Sequence, residues 1–264
     1  MPINGRGRIV IWEGASLWVL EADGGFAQTA YHAHHAIQIT LALEGAFELR
    51  TANEMVSEMA VAVAPNASHV FRAHGMVAFL FVEPESTAGR AIMAAAFRDN
   101  ALSALPSQAT QAHLAALTDW FRAGGNDDEL IRLGKLFVAE LAGSGGAGAP
   151  DRRVQAMIAY ADANLEVAIS LPSAASAACL SPSRARHLFV EHTGLPFKTY
   201  VLWLRLNRAV RIYASGASLT EAAHEAGFAD SAHFSRTFRR TFGVPADSLR
   251  VNSRFIQAQP PQRS

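Results

Sequence analysis

One cysteine, Cys179, stands in 264 residues, so no internal disulfide can form and the chain suits a reducing compartment. Apolar runs such as Met76–Val82 fall far short of the length that crosses a bilayer. The opening residues, Met1-Pro-Ile-Asn-Gly-Arg-Gly-Arg8, are not followed by the apolar core of a signal segment. These absences point to a soluble, cytoplasmic protein with no membrane partner. A phosphate-cradling glycine loop, a Cys/His zinc cluster and a recognisable catalytic dyad are also missing, which argues against an enzyme. Net charge is absent too, since 23 Lys+Arg offset 23 Asp+Glu.

Neutrality hides an asymmetry. Pro150 to Ser264 carries 14 basic and 8 acidic residues, leaving 9 basic and 15 acidic residues before it. A basic half suits a polyanionic partner and an acidic half stays off it. The excess is mild, which favours a sequence-specific binder over a general coat on DNA. The length leaves room for about two domains. Gly143-Ser-Gly-Gly-Ala-Gly-Ala-Pro150 has few side chains to pack and reads as a flexible linker over 143–150. The Pro- and Gln-rich end, 255–264, reads as a disordered tail.

Two stretches beyond the linker share one pattern. Leu171 to Phe189 and Ser218 to Gly243 each give a short helix, a turn, and a second helix opened by a polar residue. At about 100° per residue, Phe234, Phe238 and Phe242 form a single stripe that must be buried. His233, Arg236 and Arg240 point roughly opposite it, with Arg239 on its flank. In the earlier helix Ala185, Leu188 and Phe189 face inward, Ser183, Arg186 and His187 face away, and Arg184 lies at the edge. One such helix is ordinarily just a solvated charged face; its repetition after the same helix and turn argues for presentation to a DNA major groove. Pro196 to about Ser215 reads as one connecting helix of about 30 Å, against about 34 Å for one turn of DNA. Phe197, Val201, Leu204 and Tyr213 are among its inward residues.

These residues carry a resemblance. Leu180-Ser-Pro-Ser183, Phe189, Gly194-Leu-Pro196, Arg205-Leu-Asn-Arg-Ala209, Gly227-Phe-Ala-Asp230, His233-Phe-Ser-Arg-Thr-Phe238, Phe242-Gly243 and Arg250 are together similar to the DNA-binding domain of AraC/XylS-family bacterial transcription regulators. Departures are few: Cys179 stands where the first turn usually has Gly, and Ala174 and Ala222 replace larger apolar residues. Ser231 and Ala232 stand where Gln-Ser is common, and Ala246 replaces a frequent Pro. The resemblance implies a DNA-contacting set of Ser181, Ser183, Arg184, Arg186 and His187 in the first unit. In the second it implies Ser231, His233, Ser235, Arg236, Arg239 and Arg240. Arg239 and Arg240 are assigned to phosphate, and Arg186 and Arg236 to base edges.

The part before the linker reads as short strands at Arg8–Trp12, Leu17–Glu21, Ala36–Leu43, Ala46–Arg50, Ala60–Ala64, Ser68–Arg72 and Val77–Val82. Turn-prone pieces such as Ala22–Gly25 and Glu44-Gly45 separate them. So many short strands suggest a closed or double-sheet β-barrel. Residues 90–141 turn helical and amphipathic, with apolar faces suited to packing on the barrel and to pairing two subunits.

His32, His34, Gln38 and Gly45, followed by His69, resemble the two cupin motifs, with Gln38 where the first motif has Glu. Alternate residues on a strand share a face, so His32 and His34 could converge with His69 inside a barrel. Three readings follow: a transition-metal site on His32, His34 and His69, an effector pocket lined by His32, His34, Gln38 and His69, or structural histidines. The amide in place of a carboxylate weakens the metal case, and regulatory cupins of this kind often keep a pocket without metal. An organic effector is therefore expected, with no cofactor. His35 and His74 are expected at the surface or in loops.

The whole reading is a multidomain α+β chain. A cupin-type β-barrel effector domain spans 1–88, a helical dimerisation region 89–142, and an all-α domain of two helix-turn-helix units joined by a long helix 151–254. The implied function is a non-enzymatic, ligand-responsive transcription regulator. Its partners would be promoter DNA, a small-molecule effector, a second copy of the chain and RNA polymerase. A cupin metalloenzyme of dioxygenase or isomerase type, fused to a DNA-binding domain, is the competing reading.

Overall fold

The computed structural model describes residues 5–97, 100–143, 149–249 and 253–255. Most of the linker expected at 143–150 and of the tail expected at 255–264 lies outside the described residues, as does Arg250. The chain divides into two compact units, Met1–Ala147 with Phe238–Ser264, and Gly148–Thr237. The architecture is mixed: an antiparallel sheet with helices, then a run of helices.

The first unit is built on β1 (Gly5–Trp12), β2 (Ala15–Phe26), β3 (Ile37–Arg50), β4 (Met55–Val56), β5 (Ala60–Val63), β6 (Val70–Val82), β7 (Leu102–Ala104) and β8 (Ser253–Phe255). They run in the order β7-β5-β3-β6-β2-β1-β8, with β4 also pairing to β3. Neighbours are antiparallel except β1 and β8. Alternation sorts the side chains to two faces. Ile37, Ile39 and Leu41 join Leu17, Val19, Leu80 and Val82 on one face. That face is covered by Ile92 of α1 (Thr87–Ala96), Leu117, Trp120 and Phe121 of α2 (Ser107–Ala123), and Leu130, Ile131 and Phe137 of α3 (Asp127–Ala142). The amphipathic helices therefore do pack on the sheet. Phe47, Leu49, Val61, Val63, Phe71 and Val77 form a separate cluster on the other face.

Several strands are longer than the turn signals imply, because expected neighbours merge into one. Glu44-Gly45 does not end a strand: β3 runs straight through it, and β6 runs through Gly75. The two glycines pair across the ladder at φ +81° and +89°, beside a register shift between Ala42 and Glu44. A Cβ on Gly45 would stand 2.2 Å from the His74 carbonyl oxygen, and one on Gly75 2.4 Å from that of Glu44. Two bare positions facing each other let the paired strands crease instead of stopping. Ala22–Gly25 is likewise absorbed into β2, as an irregularity in its pairing with β6 between Ala22 and Phe26.

The second unit strings together α4 (Arg152–Ala163), α5 (Leu171–Ala177), α6 (Pro182–Thr193), α7 (Phe197–Ala214) and α8 (Leu219–Glu225), with α9 (Ser231–Phe242) beginning in it. Side-chain caps explain most of these starts, while α7 opens behind Pro196 without one. Asp151, Ser170, Ser181 and Ser218 accept from backbone N–H groups in the first turns of α4, α5, α6 and α8. Asp230 Oδ1 accepts from His233 N at 2.6 Å at the head of α9. Val154, Met157, Ala174, Ala185, Leu188, Phe189, Tyr200 and Val201 close one core. Ala174 and Ala222, the small residues that replace larger ones, are both fully buried.

The turns after α5 and α8 are built alike. Leu180 N bonds Ala175 O at 2.8 Å, and Phe228 N bonds Ala223 O at 2.9 Å. Cys179 and Gly227 occupy the same left-handed place in each turn, at φ +54° and +78°.

Candidate nucleic-acid interface and a histidine cluster

On α6 the inward residues Ala185, Leu188 and Phe189 are buried, while Ser181, Ser183, Arg184, Arg186 and His187 are exposed. The Ser181 hydroxyl is engaged in capping, accepting from Arg184 N at 3.3 Å. On α9 Phe234 and Phe238 are fully buried and Phe242 half-buried, with Arg236, Arg239 and Arg240 exposed. Ser231, His233 and Ser235 are half-buried, and the His233 ring meets Phe228 edge-on at 5.1 Å. Among the described residues no carboxylate pairs with Arg184, Arg186, Arg236, Arg239 or Arg240. Five guanidiniums left unneutralised on two capped helices can donate to phosphates or base edges. The helix between them, α7, has 18 residues and is therefore about 27 Å long.

The histidines of the first unit converge by a different route from strand alternation. His32 and His34 precede β3 and do not lie in a regular strand. His32 instead forms an isolated bridge with His69, His32 N to His69 O at 3.0 Å and His69 N to His32 O at 2.9 Å. Asn66 N donates to His34 O at 2.8 Å, tying the loop before His69 to the same place. The rings of His32 and His69 have centroids 4.2 Å apart, and those of His34 and His69 5.3 Å. One ligand nitrogen from each of the three lies within 4.8 Å of the others.

This meeting depends on the crease. Ile37 pairs with Val82 and Arg50 with Val70, so His34 and His69 flank opposite ends of the β3–β6 ladder. A straight strand of 14 residues would separate those ends by about 46 Å. The ladder must double back, and Gly45 and Gly75 stand near its middle.

The cluster is buried: His69 is 0 % exposed, His34 3 %, Gln38 3 % and His32 7 %. Burial disfavours the charged ring. It pulls His69 down to about 2 and His34 to about 4, each further lowered by its neighbouring histidines, and lowers His32 as well. All three are neutral at physiological pH. Gln38 lies 2.9 Å from His34 Nε2 and donates to Thr40 Oγ1 at 2.9 Å. Thr40 thus belongs to the cluster, and its place two residues beyond Gln38 on β3 was the available signal. His35 corrects an expectation. It is 2 % exposed, with Nε2 2.8 Å from the Glu85 carboxylate, which anchors it inside the fold. His74 is exposed, as expected.

Comparison with known proteins bears on the helical part. Residues 174–251 match the family described as a helix-turn-helix domain. The activator RhaS of Escherichia fergusonii is 37 % identical over 101 residues, 38 % of this chain and 36 % of that protein. This stretch is an AraC-type helix-turn-helix domain. The AraC-type domain is also similar to the regulator GbdR of Pseudomonas aeruginosa, 32 % identical over 37 % of this chain and 27 % of that one. The chain thus matches only about a third of the length of such relatives. Across both units it resembles ToxT from Vibrio cholerae in fold, with a TM-score of 0.59 at 11 % identity over 91 % of this chain and 98 % of that one. Among the described residues no helix is long and apolar enough to cross a membrane.

Proposed function

We propose that this chain is a sequence-specific DNA-binding transcription regulator whose amino-terminal part, a cupin-like barrel over 1–88, binds a small-molecule effector. The observation that carries the reading is the pair of capped helices α6 and α9, each with exposed arginines opposite a buried apolar stripe. In this reading the AraC-type domain holds two helix-turn-helix units, with α7 as the spacer that sets them one DNA turn apart. Arg186 and Arg236 read base edges, while Ser183, His187, Ser231, His233 and Ser235 fix register. Arg184, Arg239 and Arg240 hold phosphate, and Ser181 holds the head of α6.

His32, His34, Gln38 and His69 line the effector pocket. Their support is convergence, burial and a polar character otherwise costly at that depth. ToxT, the fold relative, has been solved with an unsaturated fatty acid bound. The helical region 89–142 pairs two copies of the chain, and the effector acts through its different affinity for two arrangements of the pair. The regulator works in the cytoplasm and engages RNA polymerase at its promoters.

Genome-wide mapping of bound sites tests the reading directly. The full chain should recover a recurrent site, and fluorescence anisotropy should show it held about a thousandfold more tightly than scrambled DNA at equal salt. Equal affinity for both would overturn it.

A further inference from the structure

We infer that Val190 reads the 5-methyl group of one thymine in the DNA bound by α6. Among the described residues, Val190 is the only exposed large apolar side chain on α6 or α9, at 39 %. At about 100° per residue it falls within about 20° of Ser183 and between Arg186 and His187, which stand one turn before it. The buried Ala185, Leu188 and Phe189 lie on the opposite side of the helix. Val190 does not join the core that Leu188, Phe189, Tyr200 and Val201 help to close.

Helix stability gives no reason for a valine here. In an exposed helical position a β-branched side chain is a poorer helix former than Ala, Lys or Glu, and its methyl groups stay in water. Spacing gives one. Ser183, then Arg186 and His187, then Val190 recur every three to four residues on one face, the interval at which a zinc-finger helix meets successive bases. Seven residues advance about 10 Å along the helix, which is about three base-pair steps of about 3.4 Å. Val190 thus extends by one turn the row that Ser183, Arg186 and His187 begin.

The chemistry of the side chain selects what it meets. A valine neither donates nor accepts, so phosphates and the polar edges of bases offer it nothing. The major groove presents an apolar group in the C5-methyl of thymine, and apolar side chains pair with it. Arg184 and Arg186 on the same helix supply the attraction that seats it on a polyanion, and the methyl contact adds selection without charge. Glu191, exposed beside Val190, repels phosphate, so this last turn is unsuited to be another backbone clamp. The assignment rests on the proposed role of α6 as a base-reading helix.

The test begins with a duplex selected from a random pool by the full chain. Each thymine in it is replaced singly by uracil, which removes the methyl and leaves the hydrogen-bonding edge unchanged. Anisotropy should show a position at which uracil weakens binding about fourfold, the worth of one buried methyl. Val190→Ala should hold the parent duplex about three- to tenfold more weakly, hold random DNA as before, and be indifferent to uracil at that position. Alanine is the better helix former and Val190 lies outside the core, so the variant should fold, and the uracil series on the unaltered chain needs no variant. Absence of any methyl-sensitive thymine, or the same sensitivity in folded Val190→Ala, would overturn the assignment. Arg186→Ala tells the two readings apart. If it relaxes base preference while no thymine methyl matters, α6 reads bases and the valine assignment alone fails. If it leaves specific binding unchanged, the reading of α6 falls and the valine assignment with it.

Discussion

Cys179 and Gly227 hold the same left-handed backbone, at φ +54° and +78°, each two residues past a seven-residue helix. Their surroundings differ. A Cβ on Gly227 would stand 2.3 Å from Leu165 O, whereas the Cys179 side chain is exposed.

The first prediction follows from that contrast. Cys179→Gly should relieve strain and stabilise the chain by about 0.5–1 kcal/mol, after the entropic cost of glycine is deducted. Gly227→Ala adds both strain and a backbone clash and should cost about 2–4 kcal/mol. Urea denaturation of the two variants checks the opposite signs; two shifts in one direction would contradict the account.

Arg236→Ala should lose about 1–3 kcal/mol on the recognised site and relax preference at one base position. Arg240→Ala should weaken specific and random DNA alike and reduce the salt slope by about one. Anisotropy at several salt concentrations separates the two, and identical profiles would remove the division into base-reading and phosphate-holding arginines.

Much of this was legible in the sequence, because helices announce themselves locally. The stripe of Phe234 and Phe238, the caps Ser170, Ser181, Ser218 and Asp230, and the outward arginines all follow from spacing within one helix. The sheet was legible in composition but not in connection. Glycine at positive φ marks a turn or a crease equally well, and only its partner across the ladder decides. For Gly45 that partner is Gly75. His35 failed for the same reason: the carboxylate that draws it inside belongs to Glu85, 50 residues away. His32, His34 and His69 do lie together, yet they meet through a bridge and a bent ladder and not through strand alternation.

Acidity should destabilise the first unit. The folded-state values of about 4 for His34 and about 2 for His69 lie below the ordinary 6.5, so below that pH the unfolded chain binds protons the native one refuses. The stability these rings contribute is complete above about pH 6.5 and falls beneath it by about 1.4 kcal/mol per pH unit for each ring. Urea midpoints at pH 7.5, 6 and 5 should fall in that order; a flat series would contradict it.

Gly75→Ala should strain the crease. Its Cβ, 2.4 Å from Glu44 O at φ +89°, opposes the bend and should cost about 2–4 kcal/mol. Urea denaturation checks the loss, and an unchanged midpoint would show that the bend tolerates a side chain there.

The doubling back of β3 and β6 gives the imidazoles a mechanical meaning. His34 and His69 sit at the two lips of a bent ribbon, so whatever draws their rings together works as a clasp and whatever parts them unfastens it. The distance between those two rings is therefore also the distance between the two ends of one ladder, fixed at a single point.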